Sequence, residues 1–502
     1  MNIDEQLWDL IVIGGGINGA GIAADAASRG LKVLLCEKND LASATSSNSS
    51  KLIHGGLRYL EHYEFKLVRK ALKEREVLLE NAPHIMWPLR FYLPHRPHLR
   101  PAWMIRIGLF LYDHLSQRKR LAGSKFVHFG ADSPLKPFFK KGFEYSDGWV
   151  DDSRLVVLNA QQAHIHGAEI LPRHKCIKAR HDGQHWFVEL ENQIKQSLRC
   201  VKSKVVVNAA GPWVEDLFIE SFDKKPPRKI RLVKGSHIVV PKLHDQSQAY
   251  ILQNQDKRIV FVLPFEDDFS LIGTTDVDYQ GDPGDVEIEQ SEIDYLIKIS
   301  NEHFIHQISE QDIVHCFSGV RPLMDDESDD AQSVTRDYTL HLEDSVNMPP
   351  LLSVFGGKIT TYRKLAEAAV DKIAGFFGQI KPCQTRALPL PGGNFSDPKT
   401  LLETLQSEYP WLPAVILKRY VRSYGQLSRQ ILAGCQSIDD MGIAFNPVLY
   451  QVEVDYLIEH EWVSCAEDLL WRRTKTGLLL NAGEVVYLRG YVLQKLINKQ
   501  YY

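Results

Sequence analysis

The run Asp9-Leu10-Ile11-Val12-Ile13-Gly14-Gly15-Gly16-Ile17-Asn18-Gly19-Ala20-Gly21 decides how this chain begins to fold. Four consecutive apolar residues break at three glycines, and the small, helix-compatible Ile22-Ala23-Ala24-Asp25-Ala26-Ala27 follow. A second apolar run, Lys32-Val33-Leu34-Leu35-Cys36, ends on Glu37. Strand, glycine turn, helix, strand and acid in that order describe a βαβ unit that binds a dinucleotide. Gly14, Gly16 and Gly19 fill the template G-x-G-x-x-G. The first allows a tight turn, the second admits a pyrophosphate to the backbone, and the third lets the helix pack close to the strand. The helix N-terminus presents N–H groups and partial positive charge to the phosphates. Glu37 is placed to accept hydrogen bonds from an adenosine ribose. At this point both NAD and FAD remain open.

The whole chain sets the frame. Its 502 residues exceed a single core and suggest two or three domains. A composition of 44% hydrophobic and 24% charged residues is that of a globular protein. The formal net charge of −4 gives no reason to expect nucleic acid. Seven scattered cysteines with no C-x-x-C pair suit a reducing compartment and argue against a disulfide framework or a zinc site. The start Met1-Asn2-Ile3-Asp4-Glu5 does not read as a signal peptide, and no apolar run is long enough to span a bilayer.

After Glu37 the chain becomes rich in hydroxyls, from Asn39 through Ser43, Thr45, Ser46, Ser47, Ser49 and Ser50 to Lys51. It then runs into Leu52-Ile53-His54-Gly55-Gly56-Leu57-Arg58-Tyr59-Leu60. Such composition usually marks a linker. Here it leaves the carboxyl end of the second strand, where an α/β sheet places its ligand, so a cofactor loop is expected.

Further on, a buried strand Lys204–Asn208 ends in the small residues Ala209-Ala210-Gly211. A β-run holds Lys234-Gly235-Ser236-His237, Arg321 and Arg336 each sit beside turn residues, and Gly356-Gly357-Lys358-Ile359-Thr360-Thr361-Tyr362-Arg363 opens a helix. The acidic run Asp325–Asp330 lacks the glycine and glutamate of a calcium loop, and no metal site is expected. The linker Pro382–Gly393 leads into a helical region containing Asp468-Leu469-Leu470-Trp471-Arg472-Arg473-Thr474-Lys475.

These motifs together resemble the FAD-dependent, respiratory glycerol-3-phosphate dehydrogenases of the D-amino-acid-oxidase-like flavoprotein superfamily. The resemblance covers the chain from about residue 7 to its C-terminal end. It implies an α/β and α+β fold: a Rossmann-like FAD-binding domain, a mixed or antiparallel-sheet substrate domain, and a helical C-terminal cap. The expected core spans 1–380, with FAD-binding parts near 7–80, 150–215 and 350–380 and substrate parts near 81–149 and 216–349. The linker is then 381–393 and the cap 394–502.

It further implies FAD as cofactor and oxidation of sn-glycerol 3-phosphate to dihydroxyacetone phosphate by hydride transfer from C2 to FAD N5. Electrons would pass to ubiquinone or menaquinone, in glycerol and glycerophospholipid catabolism. The protein would lie in the cytoplasm, peripherally bound to the inner face of the bacterial cytoplasmic membrane. The oligomeric state, a homodimer included, stays open. FAD would be held by Gly14, Gly16, Gly19, Glu37, Thr45, Ser46, Ser47, Ser50, Lys51, Leu52, His54, Gly55, Gly211, Gly357, Lys358 and Thr360.

Arg58, Tyr59, Arg321 and Arg336 would bind the substrate, because arginine meets phosphate oxygens with a fixed fork. His237 alone in a strand reads as a packed side chain, yet its K-G-S-H run matches the family. It is the first choice of base, since its ordinary pKa is nearest the working pH. Deprotonation assisted by Arg321 and Lys358 stays open beside it. Rival functions are a glycerol-3-phosphate oxidase using O₂, an amine or amino-acid oxidase of the same fold, and a non-catalytic flavin-binding membrane redox sensor.

One stretch has two readings. Trp103-Met104-Ile105-Arg106-Ile107-Gly108-Leu109-Phe110-Leu111-Tyr112, with Arg118-Lys119-Arg120 after it, suits a helix lying in a membrane interface. Buried helices are commoner, and the residues alone favour a buried helix with a solvated charge run behind it.

Overall fold

The computed structural model describes residues 3–96, 100–254, 256, 258–324 and 337–499. Arg336 and the acidic run Asp325–Asp330 lie outside them. Among the described residues the strands form two large sheets, numbered here along the chain.

The first sheet holds β1 (Ile3–Ile13), β2 (Val33–Cys36), β7 (Glu169–Leu171), β10 (Leu198–Asn208), β17 (Tyr338–Glu343) and β18 (Leu351–Gly356), in the order β17-β18-β10-β1-β2-β7. β8 (His174–His181) and β9 (Trp186–Asn192) form a hairpin extending from β10. The pairs around β1 are parallel. Its apolar run follows from burial on both faces. Leu10 and Val12 pack beneath helix α1 (Ile17–Ser28), and Ile11 and Ile13 face the opposite core with Val206 and Phe218.

The second sheet contains β3 (Leu52–Ile53), β4 (Met86–Pro94), β5 (Lys125–His128), β6 (Lys141–Val150), β11 (Ile230–Pro241), β12 (Ala249–Gln253), β13 (Ile259–Phe265), β14 (Phe269–Gly273), β15 (Val277–Asp278) and β16 (His315–Met324). It is antiparallel apart from the β12–β4 pair. The expected mixed sheet is therefore present, but two boundaries differ from the sequence reading. β17 belongs to the first sheet, because an antiparallel partner needs only a short connection to β18. β3 pairs with β6, so the chain crosses to the second sheet immediately after the hydroxyl-rich loop.

Helix α2 (Phe65–Asn81) is amphipathic and buries Leu67, Val68, Ala71, Leu72, Leu78 and Leu79. Helix α3 (Ala102–His114) corrects an expectation. It buries only Leu109 and Tyr112 and presents Trp103 (63% exposed), Ile107 (51%) and Phe110 (52%) outward. Among the described residues that face stays exposed, so apolar composition here does not mean burial. Helix α4 (Asp152–Ile165) is capped by the Asp151 carboxylate, which accepts from the Arg154 N–H.

Past the linker, helices Pro398–Glu408, Ala414–Tyr424, Gln451–His460 and Ala482–Asn498 surround their own apolar core, which includes Leu417, Tyr420, Leu457 and Leu488.

Two buried histidines couple this fold to pH. His84, where α2 meets the linker, is buried with neither ring nitrogen bonded, and burial and the Arg154 charge hold its pKa down at about 3. His303, stacked on Phe139 at 5.2 Å, is held at about 4, chiefly by burial. Each stays neutral in the folded chain while the unfolded chain protonates near its ordinary pKa. Unfolding therefore takes up protons, and stability is lost as pH falls below about 6.5, at roughly 1.4 kcal/mol per pH unit for each group. Thermal melts at pH 7.5, 6 and 5 should show a falling midpoint, less steep in His84→Phe. An equal pH slope in wild type and variant would contradict this account.

Candidate cofactor and substrate site

Four strand ends of the first sheet open on one cavity of about 1240 Å³: Gly14 after β1, Glu37 after β2, Gly211 after β10, and Gly356-Gly357 ending and following β18. The glycines are there for contact distance. A Cβ at Gly14, whose φ is +118°, would lie 2.4 Å from the Ala209 carbonyl oxygen, and one at Gly19 would lie 1.9 Å from that of Gly14. Helix α1 therefore rests directly on the turn. Its N-cap residue is Gly16, which has no side chain to cap it, and Gly16 and Asn18 line the cavity beside it. Asn18 Nδ2 donates to the Gly356 carbonyl at 3.2 Å, while its buried Oδ1 has no partner. A helix start whose N-cap is a glycine and a glycine cradle that admits the backbone fit a dinucleotide pyrophosphate. Asn18 was not singled out from sequence, although it stands inside the glycine motif.

Glu37 lines the cavity. Its carboxylate accepts from the Gly15 N–H at 2.7 Å and the Asn39 N–H at 2.8 Å, and each oxygen keeps a lone pair for a hydroxyl. Burial raises its pKa, with those two bonds opposing.

The loop from Lys38 to Lys51 closes the cavity without regular structure of its own. Thr45, Ser46, Ser50, Leu52 and His54 line it, as expected. Ser46 Oγ accepts from the Ile17 N–H at 3.0 Å, and Thr45 Oγ1 donates to the Val320 carbonyl at 2.6 Å. Ser47, Lys51, Gly55 and Gly19 are not on the wall. Lys51 is buried against Asp152 at 2.8 Å and the Ser47 carbonyl at 3.0 Å, so it supports the loop from behind. The Gly55 N–H donates to the Tyr112 hydroxyl at 2.8 Å, where Leu72 leaves no room for a Cβ.

Gly211, Gly357, Lys358 and Thr360 also line the cavity, and Thr360 Oγ1 accepts from the His54 N–H at 3.3 Å. Lys358 Nζ sits 3.8 Å above the Tyr59 ring. The backbone of Arg58 lies in the turn Leu57–His62 with Tyr59, and its side chain lies outside the described residues.

Arg321 reaches the cavity from β16. Its guanidinium pairs with Asp276 and donates to Thr274 Oγ1 at 3.1 Å. It lies flat over Gly235, where a Cβ would come within 2.7 Å of its Nη2. Asp276 and Thr274 also line the cavity, and neither carried a signal in the sequence beyond its place at a strand end.

His237 departs from the sequence reading. It is 1% exposed and does not line the cavity. Its ring stacks on Phe317 at 4.9 Å and lies over Gly273, and its Nε2 is 3.0 Å from Ser50 Oγ. Burial, then the Arg321 and Lys51 cations, push its pKa well below the ordinary histidine value. A direct base with pKa near neutrality is therefore not what the structure places here.

The cap also touches the cofactor loop. Asp40, fully buried, accepts from Arg472 at 2.5 Å and from Arg473 at 2.7 and 2.8 Å. Lys475 reaches Asp151 at 2.6 Å. Although burial pushes upward, Lys475 pulls the Asp151 carboxyl down to about 2.

A glycine-cradled dinucleotide site that opens without a break into an arginine-bearing chamber under a second sheet defines a two-domain flavin oxidoreductase. A sequence profile described as FAD dependent oxidoreductase matches residues 9–363, and one described as the C-terminal domain of alpha-glycerophosphate oxidase matches 383–489. The aerobic glycerol-3-phosphate dehydrogenase of Escherichia coli (strain K12) is 57% identical over 95% of both chains. D-erythritol 1-phosphate dehydrogenase of Brucella abortus (strain 2308) is 50% identical over 96% of this chain and 97% of its own. The solved glycerol-3-phosphate dehydrogenase of Bacillus halodurans, complexed with FAD, superposes with a TM-score of 0.77 at 28% identity, covering 99% of this chain and 91% of that one. The chain belongs to the family of FAD-dependent glycerol-3-phosphate dehydrogenases.

Arg473→Ala would leave Asp40 paired with Arg472 alone and remove the charged hydrogen bonds that Arg473 donates to it, a loss of about 1.5–3 kcal/mol. The variant should melt earlier and lose FAD during gel filtration. Full FAD content and an unchanged melting point would show that the cap contact is dispensable.

Proposed function

We propose that this enzyme oxidises sn-glycerol 3-phosphate to dihydroxyacetone phosphate and hands the electrons to a membrane quinone, in glycerol and glycerophospholipid catabolism. The observation that carries the reading is the Arg321 chamber at the far end of the FAD cavity, in a chain 57% identical to the Escherichia coli enzyme. Bound FAD supplies the two-electron acceptor. A guanidinium has five N–H donors. Those not used on Asp276 and Thr274 are available to a substrate oxygen. With Lys358 it sets a positive field suited to a phosphate dianion and to the charge that develops on the C2 oxygen. Asp276 fixes the fork's orientation, so Arg321 binds without first being ordered.

The four-carbon substrate of the Brucella abortus relative makes D-erythritol 1-phosphate a second reading. Comparing the two in steady state decides between them. We expect sn-glycerol 3-phosphate to give the higher kcat/KM, and a preference for the erythritol ester would reassign the substrate. Turnover should be sustained by a soluble ubiquinone analogue under nitrogen. If only O₂ sustains it, the protein is an oxidase.

Delivery to a membrane acceptor is supported by the surface at the cavity mouth. Tyr63, Phe65 and α3 residues Met104, Ile107 and Leu111 line the opening and are exposed. Trp103 and Phe110 extend the same apolar surface. Lys66, Arg69, Arg100 and Arg106 are exposed around it. Among the described residues no helix is long and apolar enough to cross a membrane. An apolar helix face ringed by basic residues suits the headgroup region of an anionic bilayer. In vesicle co-sedimentation, Trp103→Ser with Phe110→Ser should cut binding to anionic liposomes about tenfold or more, each lost apolar side chain costing ~1.5–3 kcal/mol. Reduction of a soluble dye acceptor should persist. Unchanged vesicle binding would place the anchor elsewhere.

A further inference from the structure

The pair Ser50–His237 is more than loop support. Ser50 is half-buried on the cavity wall, and its hydroxyl lies 3.0 Å from His237 Nε2. The imidazole is clamped between Phe317 and Gly273, so only its Nε2 edge points toward the cavity, through Ser50. His237 and Gly235 are two apart on β11 and share a sheet face. Arg321 lies over Gly235 and Ser50 caps His237, so both groups meet the cavity side by side.

We propose that Ser50 is a catalytic residue that takes the C2 hydroxyl proton of the substrate and relays it to His237, while the neighbouring Arg321 stabilises the same oxygen. This rests on the polyol-phosphate reading above. With the imidazole as its Nδ1–H tautomer, Nε2 accepts the Ser50 O–H. The substrate O–H bond breaks as the proton passes to Ser50 Oγ, and the Ser50 proton passes to Nε2. The C2–H electron pair leaves as hydride to the bound FAD, and the electrons of the broken O–H bond complete the C2=O double bond. One proton on His237 and one hydride on the oxidant balance the two hydrogens lost.

The charges facing His237 are Arg321, itself paired with Asp276, and Lys51, paired with Asp152. Burial keeps the imidazole neutral before substrate arrives, and these two cations add to it. A bound phosphate dianion offsets them, so the acceptor strengthens only in the loaded site. His237 acts through Ser50 and positions it, and Ser50 alone touches substrate.

The test uses the FAD-loaded full chain and its Ser50→Ala, Ser50→Thr and His237→Gln variants. Three quantities are measured: FAD content, the Kd for 1,3-propanediol monophosphate (which lacks the C2 hydroxyl), and the single-turnover rate of anaerobic reduction by sn-glycerol 3-phosphate. Ser50→Ala and His237→Gln should slow reduction about 50-fold or more, in the range of general acid–base catalysis. FAD content should hold and the analogue Kd should stay within about threefold. Ser50→Thr, which keeps a hydroxyl, should recover most of the rate, and this pair decides the matter even if His237→Gln fails to fold. A Ser50→Ala rate within about twofold of wild type would overturn the proposal. So would a rate loss matched by loss of FAD or analogue binding, which would make Ser50 a binding residue only. Failure of wild type to be reduced would instead overturn the substrate reading on which the proposal rests.

Discussion

Buried charge pairs hold an irregular loop, and the site depends on them. Residues 38–51 contribute no strand or helix, yet their hydroxyls form one wall of the cofactor cavity. Asp40 is anchored by Arg472 and Arg473 of the cap, and Ser49 and Lys51 by Asp152 at the start of α4. Thr45 is bonded to β16 of the second sheet, and the Ala42 N–H to the Gly15 carbonyl at 3.0 Å. Both sheets and the cap thus fix one loop. Such ion pairs add little net stability over apolar packing, but breaking one leaves an uncompensated buried charge. Their effect is to define a single loop geometry, which the cavity wall requires.

The features legible in the sequence share one property: local backbone constraint sets them. Gly14, Gly16 and Gly19 follow from close approach at a turn, and Glu37 from the end of a strand beside it. Arg321 and the Gly356–Thr360 turn are picked out because their motifs resemble those of the family, and both line the cavity. What sequence left open depends on partners far along the chain. His237 looks like an accessible base until β16 brings Phe317 over it and the loop brings Ser50 in front. Lys51 looks like a phosphate ligand until Asp152, 101 residues away, claims it. Helix α3 has the same composition whether buried or exposed, and only its outer face, exposed among the described residues, decides.

The cavity runs the length of the reaction. Glu37 and the start of α1 line one part of it, where their chemistry suits the adenosine and pyrophosphate portions of FAD. In another, Arg321, Lys358 and Ser50 gather where the substrate is handled, and beyond them the wall continues to the apolar face of α3. A phosphorylated polyol needs fixed positive charge and arrives from water. A quinone needs an apolar path and arrives from lipid. A cavity with a cationic interior and an apolar mouth suits both the polyol phosphate and the membrane acceptor proposed above.

The most direct measurement is an anaerobic titration of the FAD-loaded protein with sn-glycerol 3-phosphate, following the absorbance of oxidised flavin. The account predicts bleaching complete near one equivalent, with dihydroxyacetone phosphate formed in equal amount and colour restored by added ubiquinone analogue. Persistence of the oxidised spectrum at saturating substrate would contradict it.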